Sequence, residues 1–252
     1  MYKYIGKRLI LLIPILLGVT FIVFSIMSLT PGDPARLILG QKAPQEAVDQ
    51  LNHELGFDKP FLIRFLNYVK DAVQGDFGKS YRTDRPVFEE IFSRFPTTLK
   101  LAIFGVITSV ILGIPLGILS AVKQYSAVDV ISTVAAMFMA SIPAFWLGLM
   151  MILLFSLKLG WLPSNGVGSL AHFVMPTITL AVPSAAGILR LTRSTMLETI
   201  RQDYIRTARA KGAAEKTVIW KHSLKNALLP VITVVGMNFG YLLGGTILIE
   251  AV

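Results

Sequence analysis

The chain has 252 residues, 54% apolar and only 15% charged, with a net charge of +9 and no cysteine. Soluble domains carry about 25% charged residues, so this composition excludes an ordinary soluble protein. The lack of cysteine excludes disulfides, thiolate metal sites and thiol catalysis. Five uncharged runs set the class: Leu9–Leu29 (21 residues), Leu101–Val122 (22), Val130–Leu157 (28), Phe173–Leu189 (17) and Asn226–Ile249 (24). A helix crossing ~30 Å of hydrocarbon needs ~20 apolar residues, with ~17–25 tolerated. The runs therefore predict an all-α polytopic membrane protein with five spans.

Residues 1–29 read as an amino-terminal segment and first span. That span is too long for a signal-peptide core and lacks a small-x-small cleavage site, so it is expected to be retained. Thr30-Pro-Gly-Asp-Pro34 ends it by punctuation alone. Residues 30–96 read as a folded external segment with two short amphipathic helices, Pro44–Leu55 and Pro60–Gln74. Each begins with Pro and is followed by Gly, at Gly56 and Gly75. Ala47, Leu51 and Leu55 share one face of the first.

Residues 97–252 form the core. Pro143 is expected to bend the third span, Pro176 and Pro183 the fourth, and Gly236, Gly240, Gly244 and Gly245 thin the fifth. Broken or Gly-rich spans are tolerated where neighbours or a water-filled cavity satisfy the backbone. Ser141, Pro143, Met237, Asn238 and Tyr241 are accordingly the candidates to line a pathway. Charge within the spans is nearly absent, with Lys100 and Glu250 at span ends, which argues against a proton-coupled mechanism.

Lys3, Lys7 and Arg8 precede the first span, and Thr30–Pro96 is nearly neutral, with nine basic and ten acidic residues. Arg190–Asn226 holds nine basic residues against Glu198, Asp203 and Glu215. Lys/Arg excess marks the cytoplasmic side. The amino terminus, the Lys123–Asp129 turn and the Arg190–Asn226 loop are therefore expected inside, and Thr30–Pro96 and Lys158–His172 outside.

Several motifs lead nowhere. Gly78-Lys79-Ser80 lacks the first Gly of a phosphate-binding loop, since Val73 stands there, and no strand precedes it. Gly166-Val-Gly168 has no βαβ unit around it. His53, His172 and His222 fall in three separate loops, and a metal site needs convergent ligands. No Ser/His/Asp set stands out, so the chain is not expected to be an enzyme. No nucleic-acid recognition fold fits a membrane loop of this kind.

The basic loop carries the most information. From Ser194, the residues Leu197, Ile200, Tyr204 and Ala208 keep helical spacing while Arg193, Arg201, Arg206 and Arg209 carry charge. Gly212 breaks the run at a plausible position after a helix C-cap. A second stretch through Val218, Ile219 and Leu224 leads to Leu229–Pro230, where the fifth span is expected to begin. Lipid anchoring by basic side chains accounts for the charge but not for the small residues around Gly212.

Thr207-Ala-Arg-Ala-Lys-Gly212 followed by Asn226-Ala-Leu-Leu-Pro230 resembles the cytoplasmic "EAA" loop of ATP-binding-cassette (ABC) importer permeases, closest to the dipeptide, oligopeptide and nickel branch. Thr30-Pro-Gly-Asp-Pro34, Gly75-Asp-Phe-Gly-Lys-Ser80 and Gly113-Ile-Pro-Leu-Gly117 are similar to that family as well. Arg206 stands where the general pattern has Glu, and the spacing from Gly212 to Pro230 is longer than in sugar-importer permeases. Both departures point to the same branch. That family usually has six spans and this sequence stops at Val252, at the outer end of the fifth, so the sixth is expected to be missing, either by natural truncation or because it lies outside this sequence.

The resemblance implies a type I importer fold and half of a translocation pathway for di- or oligopeptides, with nickel chelates or other small solutes as alternatives. It implies a multi-pass protein of a prokaryotic cell membrane. Its expected partners are a second, paralogous permease, two cytoplasmic ATPase subunits that bind ATP and Mg, and an external substrate-binding protein. This chain itself is expected to bind no cofactor or metal. Tyr204, Arg206, Thr207, Ala208, Arg209, Ala210, Gly212, Ala213 and Glu215 correspond to the family's coupling region, which docks on the ATPase. An autonomous channel or secondary transporter is the alternative from another class.

Overall fold

The computed structural model describes residues 2–29, 32–40, 42–80 and 83–245, in two compact units, Met1–Arg94 and Phe95–Val252. In the first unit, α1 (Tyr2–Leu29) carries Pro14 within it and leaves apolar side chains exposed along its whole length. A short helix not anticipated from the sequence, α2 (Pro34–Leu39), follows. Asp33 caps it: the carboxylate accepts the Ala35 N–H at 3.0 Å and a second hydrogen bond, also 3.0 Å, from the Asn52 side chain. Asp33-Pro34 thus starts a helix, because Asp satisfies the unpaired N–H groups of a helix N-terminus and Pro fits the first helical position.

The two external helices are present as α3 (Gln45–Glu54) and α4 (Phe61–Val73). Pro44 and Pro60 occupy the cap positions just outside them. Gly56 and Gly75 take the left-handed conformation, with φ +71° and +86°. The buried face of α3 differs from the expected one: Val48 is fully buried, whereas Leu55 is exposed. Nearby, the His53 ring stands 2.8 Å from Asp58 and holds its carboxyl below the ordinary value. Phe61, Phe65 and Tyr68 of α4 pack on Phe21 and Phe24 of α1, with ring centroids 5.1–5.7 Å apart.

α5 (Val87–Val122) carries the boundary between the units and starts well before its apolar run, with Pro96 and Pro115 inside it. The third run is not one span bent gently. It forms α6 (Ala127–Ser141) and α7 (Ala144–Met151), the latter continued by the π-helical Ile152–Lys158, and the two arms are bent by 94°. The residue before a proline is driven out of the helical region; Ile142 and Pro143 are both extended, at ψ 123° and 131°.

α8 (Leu170–Ile200) stays one continuous helix through Pro176 and Pro183. It also runs on past Arg190, so the basic stretch opens as helix rather than loop. His172 lies within its first turn, where Ser169 and His172 form a capping box. The fifth span starts earlier than expected: α11 (Leu224–Gly245) holds Pro230 within it, and the π-helical Val218–Ser223 precedes it. Glu250 and the end of the fifth run lie outside the described residues. Among the described residues, four helices are long and apolar enough to cross a membrane, or five if the bent pair is one span.

α8 is the hub of the second unit. Leu101 and Ala102 of α5, Leu180 of α8 and Leu242 of α11 form one core cluster. Ile118, Ala121, Met196 and Ala227 form another, and Ala136 of α6 packs on Ala186 and Leu189 of α8. α5 and α8 approach closely at Gly113 and Gly117. A Cβ on Gly117 would lie 2.6 Å from the Thr192 Cβ and 2.7 Å from the Leu189 carbonyl oxygen. Small residues four apart permit such backbone approach between membrane helices.

Candidate functional site

The helical spacing that runs through Leu197, Ile200, Tyr204 and Ala208 is cut once. Arg201 ends α8, and Gln202 turns extended (φ −71°, ψ 151°) to start α9 (Asp203–Ala210). Asp203, in the first turn of α9, suits the positive end of its dipole.

α9 is anchored on one face. Ile205 is fully buried, and so is Val218 in the returning π-helical segment. Tyr204, 43% exposed, accepts a 2.8 Å hydrogen bond at its hydroxyl from the Asn226 side chain in the first turn of α11. Ala208 is half-buried, while Arg206, Thr207, Ala210 and Gly212 are exposed. At its far end Gly212 adopts φ +82°. Its N–H donates to the Arg209 carbonyl (2.9 Å) and the Ala213 N–H to the Ala208 carbonyl (3.2 Å). This is the Schellman pattern, which satisfies the last carbonyls of a helix and needs a residue that tolerates positive φ.

Arg209 spans the turn, donating through Nε and Nη2 to the two carboxylate oxygens of Glu215 at 3.1 and 2.7 Å. The carboxylate raises the Arg209 guanidinium further above its ordinary value. Glu215 opens α10 (Glu215–Thr217), which leads into the π-helical return. Backbone bonds, a two-pronged ion pair and two buried anchors therefore hold α9, the Gly212 turn and the return as one stiff, exposed projection.

The residues named as pathway candidates lie on two elements, the end of α6 and α11. Ser141 ends α6, its hydroxyl bonded to the Met137 carbonyl at 2.9 Å, and Pro143 is exposed at the break that follows. Met237 and Tyr241 lie on the exposed side of α11, opposite Val231 and Leu242, with Asn238 half-buried beside them. Among the described residues no hydrogen bond joins the two groups.

One cluster was missed from the sequence. Asp129, in the first turn of α6, is buried, and Arg193 of α8 donates to both its oxygens at 2.6 and 2.8 Å. Ser120 of α5 and the Tyr125 N–H also donate to it at 2.5 and 3.0 Å, and the Thr133 hydroxyl at 3.5 Å. A cleft of about 590 Å³ beside it is lined by Gln124, Tyr125, Arg193, Ser194, Arg201 and Gln202. The sequence held a signal: Asp129 is the sole acidic residue between Glu90 and Glu198.

Residues 113–252 match the family described as binding-protein-dependent transport system inner membrane component, and residues 1–102 match the family of the N-terminal part of such membrane components. The chain is similar over its whole length to the glutathione transport system permease protein GsiC of Escherichia coli strain K12, with 44% identity over 252 residues covering 82% of that protein. The GsiC of Shigella dysenteriae serotype 1 gives the same identity and coverage. The dipeptide transport system permease protein DppB of Alkalihalophilus pseudofirmus is 42% identical over 280 residues, covering all of this chain and 84% of that protein. The chain therefore belongs to the inner-membrane components of binding-protein-dependent transport systems, the multi-pass permease subunits of type I ABC importers, which work with ATPase and substrate-binding partners.

Proposed function

We propose that this chain forms one half of an ATP-driven import pathway for di- or oligopeptides, with a paralogous permease as the other half. The observation that carries this reading is the stiff, exposed projection formed by α9 and the Gly212 turn. A flexible basic loop could bind lipid or a partner but could not transmit a displacement; a projection tied to α8 and α11 can. The substrate class follows from relatives named for glutathione and dipeptide transport.

In this reading the amino terminus and α9 are cytoplasmic, and two ATPase subunits, which bind ATP and Mg, press on the two permeases. Tyr204, Arg206, Thr207, Ala208, Arg209, Ala210, Gly212, Ala213 and Glu215 form the docking projection. Arg206 and Thr207 face the ATPase, while Arg209 and Glu215 set the shape of the turn. The exposed Met237–Tyr241 side of α11 faces the pathway and the second permease, and the Ser141–Pro143 break contributes to the pathway wall.

Gly212→Glu tests this. It is expected to abolish copurification of the ATPase and peptide uptake while membrane insertion stays normal; Gly212→Asn, which tolerates positive φ, keeps both. Uptake that survives Gly212→Glu, or that proceeds in cells lacking any partner ATPase, would instead identify an autonomous transporter.

A further inference from the structure

The Asp129–Arg193 pair is not part of the exposed projection, yet it lies on the elements from which the projection hangs. Asp129 opens α6, Ser120 sits in the last turn of α5, and Arg193 lies two turns before the end of α8. All three side chains meet at one buried carboxylate. A second link repeats the connection: Arg201, which caps α8, donates to Gln124 in the α5–α6 turn at 3.4 Å. Eight residues at 1.5 Å each separate the two arginines by ~12 Å along the helix. The α5–α6 turn is thus held at two points along the end of α8, and Gln202, the cap of α9, comes directly after the second.

Close packing makes these contacts stiff. Gly113 and Gly117 leave no room for a Cβ between α5 and α8. A guanidinium gripping both oxygens of a carboxylate fixes orientation as well as distance, which a lysine ammonium does not. The end of α5, the start of α6 and the end of α8 therefore behave as one body. α6 continues from that body directly into the 94° break at Ile142–Pro143.

We infer that the Asp129–Arg193 pair is a positioning contact for transport. It carries displacement of α9 through α8 into α6, and so couples ATP hydrolysis to rearrangement at the Pro143 break. This inference rests on α9 being the docking projection. Without the pair α9 would still dock, but less of its motion would reach α6, which would then follow α8 only through the Arg201–Gln124 contact and the Ala136 packing.

The test uses the complete importer, with both permeases, ATPase subunits and binding protein, reconstituted in vesicles. ATP hydrolysis and peptide uptake are measured together for wild type, Asp129→Asn, Arg193→Lys and the double variant Asp129→Asn/Arg193→Gln. Assembled Asp129→Asn complexes are expected to hydrolyse ATP while peptide imported per ATP falls roughly tenfold, a size typical of substitutions along a coupling route. Arg193→Lys, keeping charge but not the fork, falls less, and the double variant is no worse than Asp129→Asn. A merely structural role would lower the yield of complex and leave the ratio untouched. An unchanged ratio in assembled Asp129→Asn complexes overturns the inference, and so does loss of the ATPase from them. If Asp129→Asn does not accumulate, Arg193→Lys is judged by the same ratio. Gly212→Glu runs alongside: if it retains the ATPase, the docking assignment fails, whatever the pair does.

Discussion

Two glycines of this chain are fixed for opposite reasons. Gly212 needs its backbone: at φ +82° a side chain is strained, although nothing lies within 4 Å of where a Cβ would point. Gly117 has an ordinary helical backbone and needs the space, with Thr192 and Leu189 within 2.7 Å of the missing Cβ. Gly212→Ala is expected to cost about 1–2 kcal/mol, the penalty for an L-residue in the left-handed region. Gly117→Ala is expected to cost about 1–3 kcal/mol by forcing α5 and α8 apart. Thermal unfolding in detergent reports both. The signatures differ further: Thr192→Gly, which removes the Thr192 Cβ 2.6 Å away, should relieve part of the Gly117→Ala clash and none of the Gly212→Ala strain. Gly212 was legible in the sequence because a cap glycine follows its own helix. The packing role of Gly117 was not, although its motif was noticed, because its partners lie over seventy residues away.

Elements were legible where the signal was local, and misread where a distant contact decided. The external helices emerged from Pro, Gly and apolar spacing within each one. The α8–α9 break did not, since helical periodicity continues across Arg201 and Gln202. At the break Ile205 is buried and Tyr204 bonds to Asn226, a contact that depends on the chain returning through α11. Within the projection, the Arg209–Glu215 pair is a substantially exposed clasp, at 38% and 58%. Arg209→Gln should therefore lower global stability by only ~0.2–1 kcal/mol. Its effect belongs to the turn: amide exchange at Gly212 and Ala213 should quicken, while the buried amides of α8 keep wild-type rates. Equal acceleration at both sites would show that the clasp holds more than the turn.

At the scale of the molecule, hydropathy located the membrane-crossing helices and the family motif placed the chain among importer permeases. It could not show that the third run turns through a right angle, since an uncharged run has no preferred direction once proline has interrupted it. Nor could it show which surfaces meet. The first unit closes through a small aromatic group: Phe21 and Phe24 receive Phe61, Phe65 and Tyr68, and Arg64 lies over Phe24 and Phe57. Phe24→Ala should loosen α4, with faster amide exchange across Phe61–Val73, and by less than the ~3–5 kcal/mol of a fully buried Phe→Ala change, because Phe24 is half-buried. Undisturbed α4 amides would mean that the rings merely touch. These contacts have a further consequence, in time rather than space. Every ring in the group comes from residues 21–68, so the group can close while later spans are still on the ribosome, as domains generally fold from the amino terminus during synthesis. α8 receives its buried partners from both sides, Leu101 and Ala102 before it and Ala227 and Leu242 after it. The hub cannot settle until α11 has been made, and a nascent chain stalled before α11 would hold it half-dressed.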